Sequence, residues 1–212
     1  MGGVPGVYAA KVVVIGAGVA GQNAAAIALG MQAEVLLLDR NIARLRQADA
    51  IYQGHMQTIA SNSYEIERAV LDADLVIGAV LVPGAKAPTL VSNELVSRMR
   101  SGSVLVDISI DQGGCFEDSH ATTHADPTYR VHDSVFYCVA NMPGAVPHTS
   151  TYALTNVTIP YAVEIANRGW RDALRADGNL AKGLNTVDGA VTYGPVAQAH
   201  GMPHRELAEV LS

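Results

Sequence analysis

The run from Val12 to Gly21 restricts the possible fold more than any other stretch of the chain. Val12-Val13-Val14-Ile15 is a β-branched run that favours a strand, and it stops abruptly at Gly16-Ala17-Gly18-Val19-Ala20-Gly21. The small residues Ala24, Ala25, Ala26 and Ala28 then favour a helix. In a strand–turn–helix of this kind each glycine has its own physical role in a dinucleotide site. Gly16 permits the tight turn, Gly18 leaves the backbone open to a pyrophosphate, and Gly21 lets the helix lie close on the strand. The helix start presents unpaired N–H groups and the positive end of its dipole to the phosphates. A second strand, Glu34-Val35-Leu36-Leu37-Leu38, ends in Asp39, eighteen residues beyond Gly21. A carboxylate there accepts hydrogen bonds from an adenosine ribose. Asp39 repels a 2′-phosphate and so favours NAD over NADP, with Arg40 beside it acting the other way.

From this anchor, strand and helix patterns alternate. The first strand and helix run from about Lys11 to Gly30, with Gly30 expected as the helix C-cap. A short helix begins at Asn41, with Ile42 and Leu45 at helical spacing and Arg44 and Arg46 facing water. Gln57 to Ala60 reads as a third strand, and Ser63 to Val70 as a helix with Ser63 as its N-cap. Leu75 to Val80 is a fourth strand, almost wholly apolar, as a strand buried on both faces is. Its exit, Leu81 to Pro88, is rich in turn residues and lies where such sheets build nucleotide sites. A helix near Ser92–Met99 leads to a fifth strand, Ser103–Ile108, and Val135–Val139 makes a sixth. Six strands with intervening helices predict an α/β fold, a Rossmann-type doubly wound parallel sheet.

The pattern changes after Asn141-Met142-Pro143-Gly144-Ala145-Val146-Pro147. Thr151 to about Arg168 reads as one helix carrying Leu154, Val157, Ile165 and Ala166, and Pro160 is expected to kink or split it. A shorter helix around Trp170, Ala173 and Leu174 ends near Asp177-Gly178. Val187-Asp188-Gly189 resembles a hairpin turn, a short helix holds Val196, Ala197 and Ala199, and Leu207–Leu211 is an end segment. So few large apolar groups make a poor second core, and the segment reads as a tail that packs on something else. The expected organisation is a lead-in over residues 1–10, an NAD-binding Rossmann domain over 11–147, and a C-terminal segment over 148–212.

Composition excludes several function classes. A net charge of −6 without a basic patch gives nucleic acid no footprint. No apolar run is long enough to cross a bilayer, so no membrane partner is expected. With two cysteines, Cys115 and Cys138, and no basic-then-apolar leader, the reading is a cytoplasmic protein.

The remaining chemistry gathers at strand exits. Asp111-Gln112-Gly113-Gly114 follows the fifth strand. Asp111 either orients a substrate or base at a nicotinamide ring, or simply ends a strand in a polar turn. Cys115 reads as a packing residue, since no activating group is evident. An amide at Asn141 could hold a nicotinamide carboxamide. His120 and His124 have i, i+4 spacing but sit in a loop-like segment without a third ligand, so no metal site is expected.

Together, Gly16–Gly21, Leu75–Pro88, Val106–Glu117, Tyr137–Gly144 and Thr149–Asn156 resemble bacterial L-alanine dehydrogenase. The related proton-translocating transhydrogenase α subunit shares the fold, but its equivalent of Asp111-Gln112-Gly113-Gly114 reads differently. The resemblance implies a reversible oxidative deamination in which L-alanine, NAD and water give pyruvate, ammonia and NADH. By the motif match, Val19 and Ala20 lie at the pyrophosphate, Asp39 at the ribose, and Arg44 and Ser61 near the adenine. Val80 and Leu81 line the wall beside the cofactor. Ile108, Ser109, Ile110 and Asp111, with Val139, Ala140, Asn141 and Met142, surround the nicotinamide, and Asp111 is the catalytic carboxylate.

The resemblance also implies a homo-oligomer, a hexamer in the full-length family. Family members place a substrate domain before the nucleotide domain, and residues 1–10 resemble the family's hinge loop. The chain is therefore expected to be a truncated member, one that binds NAD(H) without oxidising alanine alone. The alternative is a stand-alone NAD(H)-binding module or subunit, or the nucleotide-binding part of a transhydrogenase.

Overall fold

The computed structural model describes residues 1–82 and 87–211. These divide into two compact units, one of residues 1–82 and 87–142 and the other of residues 143–211. In the first, β1 (Lys11–Ile15), α1 (Val19–Gly30), β2 (Glu34–Asp39), α2 (Ile42–Tyr52), β3 (Gln57–Ala60), α3 (Ser63–Leu71) and β4 (Leu75–Gly78) follow in order. After them come α4 (Asn93–Ser97), β5 (Val104–Asp107), β6 (Thr128–Val131) and β7 (Ser134–Tyr137). The strands form one sheet in the order β3-β2-β1-β4-β5-β7-β6, parallel throughout except for the β6–β7 pair. This is a Rossmann-like α/β fold.

Strand β1 is apolar at successive positions because both of its faces are covered. Val13 and Ile15 pack with Ile66 and Val70 of α3 and with Leu95 and Val96 of α4. Val12 and Val14 pack with Ala25 and Ala28 of α1 and with Leu45 and Ala48 of α2. The face that α1 buries consists of Gly21, Ala25 and Ala28, so this helix comes close to the strand.

Several expectations need correction. The sheet has seven strands, not six. The additional strand, β6, pairs antiparallel with β7 through the two-residue turn His132-Asp133, with His132 at φ 51. Its signal was the alternation of exposed Thr128 and Arg130 with half-buried Tyr129 and Val131. Strands β4, β5 and β7 stop at Gly78, Asp107 and Tyr137, short of the predicted ends. The residues dropped, among them Val80, Ile108 and Val139, belong to the loops that leave the sheet. Asn62, not Ser63, caps α3, its side chain accepting the Glu65 N–H at 2.9 Å. Met31, not Gly30, caps the end of α1. Ile42 is 46% exposed, and α2 is seated instead by Leu45 and Ala48.

In the second unit, α5 (Pro147–Arg168) continues through Pro160 as a single helix. Pro160 lacks the N–H that would bond the Asn156 carbonyl, and Asn156 is exposed, where water can replace that bond. Then come α6 (Trp170–Ala176), α7 (Gly178–Ala181), β8 (Thr186–Val187), β9 (Ala190–Val191), α8 (Gly194–His200) and α9 (Leu207–Leu211). The β8–β9 hairpin turns at Asp188-Gly189, both with positive φ as a tight hairpin demands. The apolar side chains buried here are Ala173, Leu174, Ala181, Val191, Ala197 and Val210, mostly small. Among the described residues, no helix is long and apolar enough to cross a membrane.

Candidate functional site

The three glycines of the turn are held to different requirements. Gly16 has φ +111, and a Cβ on it would stand 2.5 Å from the Ala79 carbonyl oxygen. A Cβ on Gly21 would stand 1.7 Å from the carbonyl oxygen of Gly16. Both are demanded by the protein's own packing. A Cβ on Gly18 would meet nothing within 4 Å. Gly18 is the N-cap of α1 and gives no side-chain cap. The amides of Gly18, Val19 and Ala20 find no hydrogen-bond acceptor among the described residues. Val19 is 84% exposed, so these donors open onto the surface and can hold an anion.

Asp39, at the end of β2, closes one side of the turn. Its Oδ2 accepts the Ala17 N–H at 2.6 Å and its Oδ1 the Asn41 N–H at 2.7 Å. Arg44 Nη1 stands 3.7 Å from the same carboxylate. Asn41 caps α2 by accepting from the amides of Ala43 and Arg44, which brings Arg44 over Asp39. Arg44 is exposed, as its helical position predicts, and its guanidinium also reaches back toward Asp39. Ser61 donates its N–H to the Asp39 carbonyl at 2.9 Å, so Asp39, Arg44 and Ser61 form one group.

The exits of β4, β5 and β7 meet beside the glycine turn. Ile108 donates its N–H to the Gly78 carbonyl, and the Ser109 hydroxyl donates to the Val80 carbonyl at 2.8 Å. Leu81 is exposed. Ile110, Asp111 and Gln112 make one 3-10 turn after β5, and Asp111 is exposed at it. Asn141, in the left-handed region at φ 54, donates its N–H to Asp111 Oδ1 at 3.4 Å. Ala140 is held by the Thr122 carbonyl, and Met142 is half-buried beyond it. Ile110 and Val139 are buried, so they have only backbone to offer a ligand. Residues 83–86 of the turn-rich exit after β4 lie outside the described residues.

Cys115 is buried, and burial, with the nearby Asp107 charge, pushes its thiol pKa well up, as suits a side chain packed in the core. His120 stacks on Tyr129 with ring centroids 3.7 Å apart, whereas His124 contacts the Asn141 carbonyl at 3.2 Å. Sequence reasoning passed over Asp107, the wholly buried carboxylate that ends β5; the only signal was its place as a charge closing an apolar strand. A hollow lined by Lys11, Leu36, Ile59, Arg68 and Asp72 includes no residue of the glycine turn. The Lys11–Asp72 ion pair closes part of it.

Comparison with known proteins agrees with this geometry. Residues 1–194 match the family model described as alanine dehydrogenase/PNT, C-terminal domain. The alanine dehydrogenase of Mycobacterium tuberculosis (strain CDC 1551 / Oshkosh) is 62% identical over all 212 residues, which cover 57% of that protein. A solved L-alanine dehydrogenase superposes with a TM-score of 0.84 at 48% identity, covering the whole chain and 56% of that structure. A transhydrogenase from Sinorhizobium meliloti is more distant, with a TM-score of 0.59 and 32% identity over 66% of the chain and 40% of that structure. The chain thus spans a little over half the length of the curated relatives it matches. A glycine turn with free amides, an anchored carboxylate after β2 and a family match over nearly its full length establish that the chain belongs to the alanine dehydrogenase/PNT C-terminal domain family.

Proposed function

We propose that this chain is the nucleotide-binding part of an NAD-dependent alanine dehydrogenase, which interconverts L-alanine with pyruvate and ammonia. The observation that carries the reading is the meeting of the Ile108–Asp111 exit and Asn141 beside a turn whose Gly18, Val19 and Ala20 amides are free. Because the chain spans 57% of its relatives' length, the reaction is assigned to the whole protein and nucleotide binding to these residues.

The residues present fit a dinucleotide, since the packing of the chain itself gives no reason for glycine at 18. The amides of Gly18, Val19 and Ala20 would hold the pyrophosphate, with Gly16 and Gly21 shaping the approach. Asp39 would accept the ribose hydroxyls, with Arg44 and Ser61 at the adenine end. Val80 and Leu81 would form one wall. Ile108, Ser109, Ile110 and Asp111 would face Val139, Ala140, Asn141 and Met142 across the nicotinamide. When bound, NAD supplies the hydride acceptor. Asp111, exposed and touched by the Asn141 amide, would accept a proton from the reacting water or amine. The turns at both strand exits would hold the substrate carbon at the ring and exclude water from its far side.

The protein is further proposed to be cytoplasmic and a homo-oligomer, hexameric in its full-length form. The family resemblance supports this assembly, and the two buried free thiols suit a reducing compartment. Fluorescence titration of the 212-residue chain with NADH and NADPH tests the nucleotide assignment. NADH is expected to bind more tightly, and equal affinities would refute the role given to Asp39.

A further inference from the structure

Strand β5 ends in a carboxylate that the reading above leaves without a task. Asp107 is 0% exposed, yet it accepts hydrogen bonds on both oxygens. Oδ1 takes the Ser109 N–H at 3.0 Å. Oδ2 takes the N–H groups of Cys115 at 2.8 Å and Phe116 at 3.3 Å, and the Ser119 hydroxyl at 2.5 Å. The Cys115 thiol lies 3.6 Å from Oδ1. Gly114 lies against the same group, since a Cβ on it would stand 2.8 Å from Asp107 Oδ2 and 2.5 Å from Ser119 Cβ.

The arrangement has a topological meaning. The chain leaves β5 at Asp107, passes through Ser109, Ile110, Asp111 and Gln112, and returns at Cys115. One oxygen of Asp107 holds the outgoing limb and the other holds the returning limb, so Asp111 stands between two fixed ends. Burying a carboxylate is costly, and an apolar residue would end a buried strand more cheaply. What a carboxylate adds is a set of directional acceptors whose short bonds leave little freedom to the backbone between them.

We propose that Asp107 is a positioning residue whose buried carboxylate clamps both limbs of the Ser109–Cys115 turn and so sets where Asp111 stands at the nicotinamide end of the site. The inference rests on the reading that this turn faces the nicotinamide. Asp107 does not touch the ligand. Its effect is confined to the end of the cofactor that the turn approaches, and the adenosine half, held by the glycine turn and Asp39, is independent of it.

Paired titrations of the 212-residue chain with NADH and with ADP-ribose, which lacks the nicotinamide, test this directly. In Asp107→Asn an amide nitrogen replaces one acceptor oxygen and opposes N–H donors. NADH affinity is expected to fall roughly tenfold, while ADP-ribose affinity stays within about twofold. Ser119→Ala removes a single donor and leaves the carboxylate, so the same ratio is expected to shift in the same direction by about threefold. If Asp107→Asn does not fold, the Ser119→Ala ratio decides. A general loss of stability would lower both affinities together, and that result, or an unchanged ratio in a folded variant, overturns the proposal. Equal wild-type affinity for NADH and ADP-ribose overturns instead the nicotinamide reading, and the proposal with it.

Discussion

Gly18 and Gly21 look alike in the sequence but answer to different constraints, and substitution separates them. Gly21→Ala forces a Cβ to within 1.7 Å of the Gly16 carbonyl oxygen, so α1 must move off β1. A loss of about 3 kcal/mol or more in urea unfolding is expected. Gly18→Ala meets no atom within 4 Å, so its melting temperature should match that of the parent. NADH binding should nevertheless weaken by about 1–2 kcal/mol as the methyl group holds the pyrophosphate off the amides. A Gly18→Ala chain that melts early while binding NADH normally would reverse the assignment. Asp39→Ala should lose both properties, because its carboxylate accepts from Ala17 and Asn41 as well as facing the site. NADH titration should show a loss of about 1–2 kcal/mol, accompanied by a lower melting temperature. The glycine spacing and Asp39 were legible because each answers a local need. The two-sided anchoring by Asp107 was not, since its donors at 109, 115, 116 and 119 become neighbours only once the loop has closed.

At the scale of elements, helix ends and strand ends were the least legible features. Ser63 and Asn62 are both good caps by residue type, and only the backbone decides between them. Asn62 has extended backbone at φ −148 and ψ 171, and its side chain reaches the Glu65 amide. Asn62→Ala is therefore expected to cost about 1 kcal/mol in urea unfolding, and Ser63→Ala almost nothing. The β5–β7 side of the sheet carries a second measurable property. Burial, reinforced for Cys115 by the Asp107 charge, raises the Cys115 thiol, and burial likewise raises the Cys138 thiol and the Tyr129 phenol. The folded chain thus keeps protons that the unfolded chain releases in alkali. The stability this contributes is complete below the ordinary thiol value and declines as pH climbs past it. Melting temperatures measured from neutral pH upward should fall above about pH 9, the unshifted thiol value, and a Cys115→Ala, Cys138→Ala double variant should fall less steeply. Strand β6 escaped notice because four residues of alternating exposure carry little signal without their partner β7.

For the whole molecule, α5 poses the main physical question. Over 22 residues it buries none, and Tyr152, Leu154, Val157, Ile159 and Tyr161 are all exposed. A surface of this kind associates in water. Sedimentation velocity of the 212-residue chain should show mass rising with concentration, and Leu154→Glu with Val157→Glu should suppress that rise. A monodisperse monomer at every concentration would mean that this helix face is tolerated in water. By itself the sequence determined the class of sheet, the glycine turn and the carboxylate after the second strand, because periodicity and spacing record which residues leave water and which must bend sharply. Only the tertiary structure decided that Gly18 alone of the three glycines has open space before it, that Asp111 meets Asn141, and that Asp107 ties the turn between them. The physical reason is that these depend on where separate strands end beside one another. Hydrogen bonds across distant segments leave no period in a chain.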